Sequence, residues 1–155
     1  ATPAILAALL KAGADASAVG SDTKAAAQLT AENAKPAYLA VFLDNGVSPD
    51  WRNANRETLL GIASSLGNAE TVKLLLERKA NVDAQDDEGF TPLMNACQNR
   101  HIEVVRLLLE KGANKELKSK YGDTARTIVS GKYDDTQAGR ARKAIAELIL
   151  ASSPR

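Results

Sequence analysis

Four short apolar segments recur along the chain, and three of them end at a glycine. The segments read AALLKAG, AVFLDNG, KLLLERK and RLLLEKG, and their last residues, spaced 33 positions apart, are Gly13, Gly46, Lys79 and Gly112. Their apolar residues fall on one face of a helix, and glycine readily takes the left-handed conformation that follows a helix end. The pattern predicts a helix that ends at the same point of every repeated unit.

A shorter helix is predicted before the best-matched of these segments. In residues 88–97, EGFTPLMNAC, the Thr91 hydroxyl can cap a helix whose first position holds Pro92. A second helix follows over about residues 103–110, so that one unit contains two helices. Consecutive units match best over residues 58–84 and 91–117. A fixed period of this length is typical of a solenoid of stacked units.

The repeated unit contains, in this order, DxxGxTPL, a small residue, EVV, LLL and GA. This pattern resembles the ankyrin repeat. The resemblance is strongest over residues 50–122, reaches the start of the chain at the helix ends, and weakens after residue 123. It implies an all-α ankyrin-repeat solenoid, in which antiparallel helix pairs stack and hairpin loops, here called fingers, project to one side. It also implies that fingers and first helices form a concave surface that binds another protein.

The resemblance implies one domain over residues 1–155. This domain consists of an N-terminal half repeat and about four repeats. The half repeat covers 1–20, and the repeats cover about 21–53, 54–86, 87–119 and 120–155. The last repeat carries extra residues at 130–142, because its ELIL segment follows the preceding RLLL by 41 rather than 33 positions. We expect this insertion between the two helices of that repeat.

Composition and motifs argue against most kinds of chemistry. The chain has 20 basic and 19 acidic residues, so no charge excess favours a nucleic acid or an anionic membrane as partner, and no apolar run is long enough for a membrane span. Cys97 is the only cysteine and His101 the only histidine. The pair lacks an orienting group and an oxyanion site, so we interpret both as packing residues. We expect no cofactor, no metal and no enzymatic activity.

The fingers provide the candidate site. Residues 50–57 carry mixed charges around Trp51, residues 83–88 are acidic, and residues 115–121 are basic. The predicted partner-binding residues are Trp51, Arg52, Arg56, Asp86, Asp87, Glu88, Lys118, Lys120 and Tyr121. Two alternatives stay open: charged finger tips also keep a solenoid soluble, and Trp51 could pack flat on its own finger.

We therefore expect a monomeric, non-catalytic module that binds another protein. The chain is similar in design to small free-standing bacterial ankyrin proteins, some of which inhibit an enzyme or protect against it. That role is the first hypothesis, a scaffold that docks its partner without inhibition is the second, and an enzyme is a remote third. The chain begins at Ala1 without methionine, which slightly favours an exported, periplasmic protein over a cytoplasmic one.

Overall fold

The computed structural model describes residues 26–130 and 136–152, together with Ala4. In these residues it contains eight α-helices and no β-strand. They are α1 (Ala26–Glu32), α2 (Pro36–Asp44), α3 (Leu59–Leu66), α4 (Ala69–Glu77), α5 (Pro92–Gln98), α6 (Ile102–Glu110), α7 (Ala125–Val129) and α8 (Gln137–Ala151). The predicted half repeat at 1–20, including Gly13, lies outside the described residues apart from Ala4.

The helices form two layers. Each pair, from α1 with α2 to α7 with α8, packs together, and each helix also packs on its counterpart in the next pair. The shorter first helices α1, α3, α5 and α7 form one layer, and the second helices α2, α4, α6 and α8 form the other. The predicted all-α solenoid is thereby confirmed. None of the described helices is both long and apolar enough to cross a membrane.

The core consists of rows of equivalent residues that run through the stack. Phe42, Leu75 and Leu108 lie 33 positions apart in successive second helices, and all three are buried. Ile149 of α8, displaced by the longer last repeat, is buried in the same way. Each row buries its side chains against the neighbouring repeats, so the core is continuous along the stack.

The first helices keep the same register. Ala31, Ser64 and Cys97 occupy one small-residue position, spaced 33 residues apart, and all are buried. This places α1 in the repeat register although it lacks the Thr-Pro-Leu start. In α5 the predicted cap forms, since the Thr91 hydroxyl accepts from the backbone N–H of Met94. In α3 the aligned Thr58 hydroxyl forms the same cap by accepting from the backbone N–H of Gly61.

The second helices end as predicted. Gly46, Lys79 and Gly112 have φ angles of 97°, 66° and 80°, all in the left-handed region. At Lys79 the backbone N–H groups of residues 79 and 80 donate to the carbonyl oxygens of Leu76 and Leu75, at N–O distances of 3.2 and 3.0 Å. These two bonds are those of the Schellman motif, which satisfies carbonyl groups at the helix end.

The insertion expected over residues 130–142 lies only partly between the helices of the last repeat. Residues 137–142 form the first turns of α8, which has 15 residues where α6 has nine. The Thr136 hydroxyl caps this longer helix by accepting from the backbone N–H of Gly139, at 3.1 Å. A good cap followed by helix-forming residues extends the helix upstream. Residues 131–135 lie outside the described residues.

Truncating the central leucines should strongly destabilise the stack. Leu75 and Leu108 each have no exposed surface, so Leu75→Ala and Leu108→Ala should each lower the free energy of unfolding by ~2–5 kcal/mol. Urea and thermal unfolding measure this loss. Leu150→Ala, at an exposed leucine, is the matched control and should have little effect. A decrease in melting temperature of less than about 2 °C in both Leu75→Ala and Leu108→Ala would contradict the register of the second helices.

Replacing Lys79 with glycine should stabilise the fold. A residue with a Cβ atom costs about 1 kcal/mol in the left-handed conformation, and Gly112 shows that glycine fits this turn. Lys79→Gly should therefore raise the free energy of unfolding by about that amount. Lys79→Ala keeps the Cβ atom and should give no such gain. If both variants destabilise equally, the lysine side chain and not the backbone angle determines stability at this position.

Candidate protein-binding surface

Each finger is closed by one polar side chain that bonds its own backbone. Asn53, Asp86 and Ser119 lie 33 residues apart, and the side-chain oxygen of each accepts hydrogen bonds from backbone N–H groups two and four positions later. For Asp86 the donors are Glu88 and Phe90, at 2.9 and 2.8 Å. Bonds of this kind stabilise tight turns. The carboxylate of Asp86 therefore serves its own turn, although we predicted it at the binding site.

Adjacent fingers are joined by backbone hydrogen bonds. The N–H of Asp87 donates to the carbonyl of Asn55 at 3.2 Å, and the N–H of Lys120 donates to the carbonyl of Glu88 at 2.9 Å. At Gly89, whose φ is 80°, a Cβ atom would lie 3.0 Å from the backbone nitrogen of Lys120, so the chains approach closely there. These bonds fix the relative positions of all three fingers.

Side chains add to this connection. The Arg52 guanidinium donates to the carbonyl oxygen of Arg56 in its own finger, at 2.8 Å, and to that of Gln85 in the next finger, at 2.7 Å. Gln85 repeats the second contact by donating to the carbonyl of Lys118 at 3.0 Å. Arg52 therefore holds the first two fingers together, and its donors are directed at protein carbonyl groups.

Trp51 and Tyr121 differ in exposure. Trp51 is half-buried and packs against the hydrophobic core, as the inward position of its finger, shared with Ala84 and Leu117, requires. Tyr121 is 68% exposed at the third finger. Of the two predicted aromatic residues, Tyr121 is thus the one that presents a large free surface.

Six of the nine predicted residues have solvent-exposed side chains on the hydrogen-bonded fingers. We call this set of six residues the charged strip. They are Arg56, Asp87, Glu88, Lys118, Lys120 and Tyr121. Arg56 and Asp87 form an ion pair between adjacent fingers, with 3.7 Å between nitrogen and oxygen. Both side chains are more than half exposed, so this pair contributes little stability. The strip is acidic at the second finger and basic at the third.

One recess beside the first finger did not appear in the sequence-based prediction. It has a volume of about 590 Å³, lies between α1, α3 and the first finger, and is here called the Glu57 recess. Its lining residues are Gln28, Glu32, Asn53, Asn55, Glu57, Ile62, Ser65 and Leu66. The sequence of α1 lacks the Thr-Pro-Leu start of the repeat, so no sequence pattern indicates that these residues meet.

The Cys97 and His101 side chains have structural positions. Cys97 is buried in the core, and burial raises the pKa of its thiol to about 12. The His101 Nε2 atom lies 3.0 Å from the carbonyl oxygen of Ser65 in the preceding repeat. Its ring fills the space beside Gly67, where a Cβ atom would come within 2.5 Å of it. Nowhere in the described residues do three His, Cys, Asp or Glu side chains form a group that could hold a metal ion.

A solenoid of helix pairs with one row of connected, exposed fingers defines a class of protein, the helical repeat proteins. The family follows from comparison of sequences. A family model described as "Ankyrin repeats (3 copies)" matches residues 24–119. The chain belongs to the ankyrin repeat family, which is generally a non-catalytic protein–protein interaction module.

Curated relatives are ankyrin-repeat proteins of varied kinds. The chain is 35% identical to human B-cell lymphoma 3 protein over 105 residues, which are 64% of this chain and 23% of that protein. It is 31% identical to ankyrin repeat-containing protein P1E11.10 of Schizosaccharomyces pombe over 74 residues, 48% of this chain and 35% of that one. Serine/threonine-protein kinase 12 of Arabidopsis thaliana is 34% identical over 87 residues, 56% of this chain and 19% of the kinase. The chain thus spans about a fifth to a third of these relatives.

The thiol of Cys97 should be unreactive in the folded protein. Thiolate is the reacting form, and a pKa of about 12 leaves very little of it at pH 8. A disulfide reagent should therefore modify the native protein at least ~100-fold more slowly than the urea-unfolded chain. The absorbance of the aromatic thiolate that the reagent releases measures the rate of modification in both states. A native rate close to the unfolded one would show that the thiol is accessible and ionised.

The same thiol should make stability depend on alkaline pH. Well below pH 9, the ordinary pKa of the thiol, the group is protonated in both the folded and the unfolded state and has no effect on stability. Above it the unfolded chain ionises first, so the free energy of unfolding falls, by about 1 kcal/mol at pH 10. The comparison is with Cys97→Ala, which should lack this part of the pH dependence.

Proposed function

We propose that this chain binds its protein partner through the charged strip. The observation that carries the proposal is that six predicted side chains are exposed on fingers whose backbones are hydrogen-bonded to one another. A surface that is already ordered loses little conformational entropy on binding. Arg52, Asp86 and Trp51 contribute indirectly, because they hold the fingers that display the strip.

The charges of the strip suggest the chemistry of the partner surface. The second finger presents Asp87 and Glu88, and the third presents Lys118 and Lys120. A partner with a basic patch next to an acidic one would be steered to this arrangement and held in one orientation. Tyr121 lies beside the lysines and provides the aromatic contact area that binding hot spots favour.

We further propose that the module is non-catalytic and monomeric, and that its partner is an enzyme that it inhibits. The buried Cys97 thiol supports the absence of catalysis. The large apolar side chains exposed in the described residues, Leu66, Tyr121 and Leu150, lie in separate elements, which supports a monomer. A rigid finger row can cover the entrance of a partner's cleft, which supports inhibition. A scaffold that leaves its partner active is the alternative.

Site-specific crosslinking tests the location of the interface. A photo-crosslinking amino acid is placed at Tyr121 in one variant and at Glu103, on the exposed face of α6, in another. We expect the first variant to capture a partner from a lysate of the source organism, and the second to capture none. Capture only at Glu103 would place the interface on the second-helix layer. An activity assay of the captured protein then separates inhibitor from scaffold.

Charge reversal and truncation should affect different rates. Asp87→Lys with Glu88→Lys should slow association by about tenfold at low salt, with the effect fading as salt rises. Tyr121→Ala should instead speed dissociation and cost at least ~2 kcal/mol of binding free energy. Surface plasmon resonance with the captured partner measures both rates, and Glu103→Lys with Glu110→Lys is the matched control. Binding unchanged by the strip variants in folded protein would refute the proposed interface.

A further inference from the structure

The C-terminal end of α8 differs from the ends of the other second helices. The residue that follows it, Ser152, has φ and ψ angles of −69° and 122°, so it is extended. The residues at the same point after α2, α4 and α6 are Asn45, Arg78 and Lys111, with ψ angles of 25°, 14° and 4°. A Schellman motif needs such a helical residue, so the last carbonyl groups of α8 depend on donors from outside the helix.

The ammonium group of Lys115, in the third finger, provides these donors. It donates to the backbone carbonyl of Ile149 at 2.7 Å, to that of Ser152 at 2.5 Å and to the Ser152 hydroxyl at 3.2 Å. An ammonium group has three donors, so each of them has an acceptor here. A positive charge is also favourable at the C-terminal end of a helix dipole. We call these three bonds the Lys115 latch.

The lysine is particular to the third finger. The residues 33 and 66 positions before Lys115 are Val82 and Pro49, which have no polar side chain. Lys115 is half-buried, whereas Lys118 and Lys120 of the same finger are exposed. A long basic side chain can bury its aliphatic stem while its charged head bonds polar groups. An apolar position of the earlier repeats is thus replaced by a lysine in the repeat that contacts α8.

The backbone around Lys115 is bonded on both sides to the second finger. The N–H of Asn114 donates to Asp83 Oδ1 at 2.8 Å, and the carbonyl of Lys118 accepts from the Gln85 side-chain amide at 3.0 Å. The side chain of Lys115 connects the same segment forward to α8. A continuous series of hydrogen bonds therefore runs from the second finger through the third to the end of α8.

We propose that the Lys115 latch couples the order of the third finger to that of the last turn of α8. Helix ends open locally at a low cost in free energy, and a bond shared by two elements makes the opening of one favour the opening of the other. Lys115 is then a positioning residue for Lys118, Lys120 and Tyr121, which follow it in the finger and form the basic end of the charged strip. The role of the strip rests on the proposed function, whereas the coupling is a property of the chain alone.

Lysine acetylation tests the latch in the full chain. An N-hydroxysuccinimide ester reacts with a free amine, and the Lys115 ammonium must leave its three acceptors to provide one. In the folded protein we expect Lys115 to react at least ~10-fold more slowly than Lys118, and in urea at a similar rate. Mass spectrometry of the digested protein measures the rate at each lysine. Equal rates in the folded protein would overturn the proposal.

Hydrogen exchange followed by nuclear magnetic resonance tests the coupling. The backbone N–H groups of Ser152 and Lys120 both donate to backbone carbonyl groups, the first in the last turn of α8 and the second between fingers. Lys115→Met keeps an unbranched side chain without donors, and it should speed exchange at both N–H groups at least ~10-fold. Lys118→Met, at an exposed lysine of the same finger, is the matched control and should change neither rate.

A second perturbation separates coupling from a general loss of stability. Ser152→Pro removes the N–H group that bonds the last turn of α8 and disfavours a helical Ala151. It should speed exchange at the Lys120 N–H at least ~5-fold in the unmodified chain and add nothing in Lys115→Met, where the latch is already lost.

Two results of these exchange measurements would overturn the proposal. The first is an unchanged Lys120 rate in Lys115→Met, and the second is free-energy effects of Lys115→Met and Ser152→Pro that simply add. No partner takes part in either measurement, so these outcomes are distinct from a failure of the charged strip to bind one.

Discussion

Stacking of helix pairs is the constraint on which the structure depends. A single pair exposes the apolar face of its second helix, and only a neighbouring pair in the same register can cover it. Phe42, Leu75 and Leu108 form one such row, and Ile149 continues it in the last repeat. The turn that ends each second helix must therefore recur at one position, which explains why Lys79 adopts a left-handed conformation that glycine takes more easily.

The same stacking determines the candidate site. Equal spacing of the repeats brings the fingers side by side, close enough for backbone groups of one finger to bond those of the next. Polar side chains at recurring positions then have structural roles: Asn53, Asp86 and Ser119 close the turns. What is free to vary is the outward side chain at each finger. The charged strip thus consists of exposed side chains that the stack does not need, whereas the Glu57 recess also includes Asn53, which closes its finger, and the buried Ile62.

The predicted site residues fall into two groups, those that stabilise the fingers and those whose side chains face solvent. The charges of Arg52 and Asp86 predict contacts with a partner, but the two side chains bond backbone groups of the fingers. The aromatic ring of Trp51 likewise predicts a partner contact, yet this residue is half-buried and packs against the core. Charge and residue type are visible in a sequence, whereas the direction of a loop side chain depends on contacts with the next repeat. The exposure of Tyr121 and the partial burial of Trp51 are therefore determined by the tertiary structure.

The sequence by itself determined the period, the helix pairs, the caps at Thr58 and Thr91, and hence the ankyrin solenoid, because these follow from local spacing and backbone preference. It also indicated which fingers carry which charge. Only the tertiary structure decided that residues 137–142 extend α8, that His101 contacts the preceding repeat, and that α1 meets the first finger around Glu57. Each of these depends on packing between residues distant in the chain, and a pattern of local periods contains no information about such distances.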